Sequence, residues 1–146
     1  MTALRDIPIT VEESAPDLPA RGNSLPILHE IRHALRRLAE TGETTRIDLK
    51  AIPFDPGDEE HLLSLLGHGE VRATVDALGL TRVTETAFPG VWLVDYLSEQ
   101  NQRLTLQIEI AGIPSILCAQ PKDIEDAVTA LDARLPADPA SPQTQS

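Results

Sequence analysis

His29-Glu30-Ile31-Arg32-His33 is the segment of this chain whose residue types and spacing come nearest to a reaction centre. It matches H-E-x-x-H, in which two histidines one helical turn apart ligate zinc and the glutamate serves as general base. The longer form of that motif fails, because Arg36 and Ala39 stand where it needs Gly and His. A third ligand would have to come from Glu59 or Glu60, and Arg32, Arg36 and Arg37 surround the histidines with charge that opposes a divalent cation. The simpler reading is the solvated face of an amphipathic helix, and a zinc-dependent peptidase is the alternative.

Other reactive groups are sparser. Asp55, Asp58, Glu59 and Glu60 lack the spacing of a calcium loop and suit the positive end of a helix dipole. Glu85 and Glu109 could meet as an acid–base pair if strand pairing brought them together, but solvated carboxylates are the simpler expectation. Gly67-His68-Gly69 fits neither phosphate-loop spacing. Cys118 follows the apolar run Ile113 to Leu117 and is expected to be a small buried hydrophobe. An iron-sulfur carrier would need Cys118 from two or more chains. No metal or cofactor is expected.

Composition narrows the partners. Twelve basic and twenty-three acidic residues give a net charge of -11, which repels nucleic acid and anionic membrane alike. A single cysteine forms no intramolecular disulfide and fits a reducing compartment. With neither a secretory signal nor an apolar run of ~18 residues, the expected location is cytoplasmic. Arg32, Arg36 and Arg37 make the one basic cluster, able to orient an acidic partner, although an Arg36–Glu40 pair at i+4 is the plainer reading.

The elements that position these groups follow from periodicity. Residues 1–23 and 136–146, rich in proline and polar residues, are expected to be flexible arms around a single domain at 24–135. Ser24 caps a helix with Leu28, Ile31, Leu35 and Leu38 inward, ending at Gly42. Ile47, Leu49 and Ala51 alternate as a short strand, and Asp58 caps a second helix that stops at Gly67. Four strands follow: one with Val71, Ala73, Val75 and Ala77 on a face, one over 81–88, one from Val91 to Leu97, and one with Leu104, Leu106, Ile108 and Ile110 inward and Glu109 wet. Pro89-Gly90 fits a type II turn between the second and third. A last helix from Pro121 carries Ile124, Val128, Leu131 and Leu135 on one stripe. The predicted fold is α+β in two layers, a largely antiparallel β-meander with helices packed mainly on one face.

Leu28-His29-Glu30-Ile31-Arg32, Ile47-Asp48-Leu49, Leu66-Gly67-His68-Gly69-Glu70-Val71, Glu85 to Trp92 and Ile113 to Gln120 together resemble the conserved region of the HupH/HyaF family. The resemblance covers about residues 25–124. It implies an accessory protein of nickel-iron hydrogenase maturation, with no catalytic residues to carry over. The implied partners are a hydrogenase subunit precursor, such as the iron-sulfur small subunit, or other maturation proteins. Family members are often longer, which leaves a homodimer or a specialised short form open. Partner contact is assigned to Trp92, Tyr96 and Phe88, as amphipathic rings on a less covered sheet face and its turn, and to Arg32, Arg36 and Arg37. The competing reading places Trp92 in the core.

Overall fold

The computed structural model describes residue 22 and residues 24–137. Of the expected arms at 1–23 and 136–146, residues 1–21, 23 and 138–146 lie outside the described residues. The chain divides between Pro114 and Ser115 into two compact units.

In the first unit the order is α1 (Ser24–Thr41), β1 (Thr45–Asp48), α2 (Pro56–Leu66), β2 (Arg72–Asp76), β3 (Leu80–Glu85), β4 (Val91–Leu97) and β5 (Arg103–Ile110). The five strands form one antiparallel sheet in the order β1-β5-β4-β3-β2, a meander whose far edge is closed by β1. Leu106, Ile108 and Ile110 of β5, Val91 of β4 and Ile47 of β1 face Ile27, Ile31 and Ala34 of α1 and Leu62 and Leu66 of α2 in one buried cluster. Burying each of the Leu, Ile and Val side chains among them contributes about 1.5–3 kcal/mol. The predicted α+β meander, with α1 and α2 on one face, is the architecture observed.

Several local expectations are corrected. The buried stripe of α1 is Ile27, Ile31 and Ala34, with Leu28, Leu35 and Leu38 only partly buried beside it. Ser24 stands in the first turn of that helix, buried, with its hydroxyl 2.8 Å from His61 Nδ1 of α2. The strand expected over 47–51 ends at Asp48, whose carboxylate accepts the Lys50 N–H and opens a 3-10 turn at Leu49–Ala51. Asp55 is the N-cap of α2, and Asp58 is the third residue within, accepting the Asp55 N–H at 3.3 Å. The strand placed at 81–88 runs over Leu80–Glu85. Leu104 is 62% exposed, whereas Glu109 is only 3% exposed.

That last difference has a physical source. Ala73, Val83, Trp92, Val94, Tyr96 and Glu109 share the sheet face opposite α1 and α2, as the cross-strand register requires. Val83, Val94 and Trp92 on it are buried, so the face expected to be wet is a second apolar surface. Glu109 is tied there to Arg46 at 3.8 Å.

The second unit contains a 3-10 turn at Ser115–Leu117 and α3 (Pro121–Asp132). Helix α3 starts at Pro121 as predicted, and Ile124, Val128 and Leu131 on its stripe, with Leu135 beyond its end, are exposed. Cys118 is exposed rather than buried. Among the described residues no helix is long and apolar enough to cross a membrane.

Candidate functional site

Gly67-His68-Gly69-Glu70 leads out of α2, and Thr86-Ala87-Phe88-Pro89-Gly90 joins β3 to β4; the fold brings these two runs into one corner. Gly69 N–H donates to the Glu85 carbonyl at 2.7 Å, Glu85 N–H to the Val71 carbonyl at 2.9 Å, and Ala87 N–H to the Leu66 carbonyl at 2.8 Å. The Glu85 carboxylate accepts the Glu70 N–H at 3.0 Å. A Cβ at Gly69 would lie 2.5 Å from the Thr86 carbonyl oxygen, so only glycine permits this approach.

The second run is closed by its own turn. Val91 N–H donates to the Phe88 carbonyl at 2.9 Å, and Gly90 has φ +94, which makes Pro89-Gly90 the expected type II turn. Buried Thr86 holds it from within: its hydroxyl donates to the Val91 carbonyl at 2.9 Å and accepts the Phe88 N–H at 3.1 Å. The turn leans on α1, since a Cβ at Gly90 would meet Leu35 Cδ2 at 3.3 Å.

Two recesses flank this corner. One, of about 330 Å³, is lined by His68, Glu70, Glu85 and Thr86 together with Ala87 and Pro89. The other is an apolar groove of about 240 Å³ between α1 and the turn, lined by Leu28, Ile31, Leu35, Leu66 and Phe88, with Arg32 at its rim. Phe88 is 48% exposed there, an aromatic ring held by a rigid turn. Aromatic and arginine side chains are among the residue types enriched at protein interfaces.

Of the residues assigned to partner contact, Phe88 and Arg32 meet at this groove. Arg36 is exposed on α1, and among the described residues no ion pair joins it to Glu40. Arg37 is engaged by Thr45 at 3.1 Å and Glu43 at 3.8 Å. Trp92 is corrected to an interior residue: it is 6% exposed and its indole N–H donates to the Ala111 carbonyl at 3.0 Å. Tyr96 is half-buried on the same face. Leu28 and Leu35, expected to face the core, are only partly buried and line this groove beside the buried Ile31; the signal for it is that α1 carries two apolar stripes.

The other constellations disperse. His29, Glu30 and His33 are exposed, and Arg32 Nη2 lies 3.4 Å from His29 Nδ1. Among the described residues no group of three or more His, Cys, Asp and Glu is arranged to hold a metal ion. Glu85 and Glu109 do share a sheet face, but Trp92 stands between them in the register and keeps them two strands apart. Glu59 pairs with Arg103 at 3.0 Å, and Arg103 also pairs with Asp95 at 2.9 Å. The hydrogen bonds that Arg103 donates to the Asp95 carboxylate raise the guanidinium pKa above its ordinary value.

The sheet, its two helices and the glycine-pinned corner define an α+β meander domain with an apolar groove beside its β3–β4 turn. Residues 22–137 match the family "HupH hydrogenase expression protein, C-terminal conserved region", and the chain belongs to that family. The family read from the motifs is thereby shown. The chain is 34% identical over 111 residues to the hydrogenase expression/formation protein HoxQ of Azotobacter vinelandii, covering 75% of this chain and 39% of that protein. It is 25% identical over 116 residues to the hydrogenase-1 operon protein HyaF of Escherichia coli, covering 80% of this chain and 40% of that one. The chain spans about two fifths of the length of these curated relatives. The solved structure of the hydrogenase expression protein HupH from Thiobacillus denitrificans superimposes with a TM-score of 0.76 at 43% identity, over 80% of this chain and 97% of that one.

Proposed function

We propose that this chain is a non-catalytic, chaperone-like accessory protein of nickel-iron hydrogenase maturation that acts in the cytoplasm by binding a hydrogenase subunit precursor. The names of its relatives, hydrogenase expression and formation proteins, support the process. The groove between α1 and the Phe88 turn supports binding as the means. Its apolar walls and the half-exposed Phe88 ring suit an apolar or aromatic anchor of the client, and Arg32 at the rim suits a client carboxylate or carbonyl beside that anchor.

The test is capture of the small-subunit and large-subunit precursors, each co-expressed with the tagged chain. Wild type retains one of them, and Phe88→Ser combined with Arg32→Glu loses it with an unchanged melting temperature. Retention of neither precursor by wild type, or equal retention by the double variant, overturns the reading.

A further inference from the structure

We propose that the outer edge of β2 is a self-complementary seam through which two copies of this chain join their sheets. β2 is the terminal strand of the sheet, paired on one side with β3. Glu85 N–H donates to the Val71 carbonyl and Ala77 N–H to the Gly79 carbonyl, which sets the phase of the ladder. Residues 71, 73, 75 and 77 therefore spend their backbone groups on the β3 side, and Arg72, Thr74 and Asp76 direct theirs to the open edge. All three of these residues are exposed.

The side chains select one occupant. When β2 meets a second β2 antiparallel about a two-fold axis at Thr74, Arg72 stands opposite Asp76 of the second copy and Thr74 opposite Thr74. Each of these is an outward-facing pair that exchanges two backbone hydrogen bonds. Among the described residues neither Arg72 nor Asp76 has an ion-pair partner within its own chain. On the other face Val71, which is 43% exposed, falls opposite Ala77, and Ala73 opposite Val75, so an apolar stripe meets its own reverse.

Other registers lose this match. A parallel approach sets Arg72 against Arg72, and a slip by two residues leaves both charges opposite threonine or beyond the strand. Charges on an edge strand ordinarily forbid pairing, and here the single arrangement they permit is with a copy of the same strand.

Sedimentation velocity of the full chain over a concentration series tests this. Wild type is expected to dimerise reversibly. Arg72→Asp and Asp76→Arg, each placing like charges opposite one another, are expected to weaken the dimer about tenfold or more, and the double reversal to restore it. Thr74→Pro removes an N–H that points away from β3, so it is expected to abolish the dimer while circular dichroism shows the fold retained. A monomer at every concentration overturns the proposal. So does a dimer that is indifferent to the charge reversals or survives Thr74→Pro.

Discussion

The Glu85 carboxylate accepts the backbone N–H of Glu70 at 3.0 Å, fastening the segment after α2 to the end of β3. With the Gly69 N–H on the Glu85 carbonyl, the same residue is held through both its main chain and its side chain. The corner that shapes the Phe88 groove is thus set by backbone geometry, and side-chain variation on the groove walls need not disturb it.

Gly69→Ala is the sharpest test of that corner. The added methyl would sit 2.5 Å from the Thr86 carbonyl oxygen and 2.6 Å from Glu85 Oε1, and backbone cannot yield as a flexible side chain can. The expected loss is about 1–3 kcal/mol in urea denaturation. Gly112→Ala, where nothing lies within 4 Å of the new methyl, is the matched control and should be near neutral.

Trp92 carries a different burden. As a buried ring whose N–H satisfies the Ala111 carbonyl, it should cost about 3–5 kcal/mol on Trp92→Ala. Trp92→Phe keeps most of the volume but strips the carbonyl of its donor, for about 1–3 kcal/mol. Equal stability of wild type and Trp92→Ala in a denaturant titration would place the ring outside the core.

For Arg103, half-open to solvent between Asp95 and Glu59, the expected contribution is modest. Its side chain is 40% exposed, and Arg103→Met should cost about 1 kcal/mol or less. The difference from wild type should shrink as salt is raised, because screening weakens ion pairs and leaves apolar packing untouched.

The histidines of the H-E-x-x-H match should be dispensable for the fold. Both are exposed, so His29→Gln with His33→Gln is expected to change stability by no more than about 0.5 kcal/mol. Elemental analysis of protein purified without a histidine tag supplies the second readout. One zinc per chain, lost in the double variant, would restore the peptidase reading.

Strand β5 was legible because Leu106, Ile108 and Ile110 at every second position leave one solution for the inward face, and Pro89-Gly90 named its own turn, whereas β4 is apolar on both faces and its inward side was left open. The inward face of α1 was not, since Ile27-Ile31-Ala34 and Leu28-Ile31-Leu35-Leu38 are both acceptable stripes and only the position of the sheet separates them. The end of β1 depends on Asp48 turning its carboxylate onto Lys50 N–H, a local competition that alternation does not register. Burial of Glu109 was invisible for a further reason: it rests on Arg46 of β1 and Trp92 of β4, neighbours supplied by strand order. The candidate site was half legible. Phe88 and Arg32 were found as separate suspects, and their meeting came from the way the turn leans on α1.

The pairing of β1 with β5 has a consequence for how the chain acquires its structure. Strands β2 to β5 are successive neighbours that can zip up from short turns, whereas Thr45 must find Ile110 across α2 and the whole meander. Closing so large a loop is the slow part of assembly, and a four-residue edge strand returns little for it. The meander is therefore expected to form early and β1 late. In native-state amide exchange the β1 protons should open well before those of β4, without global unfolding.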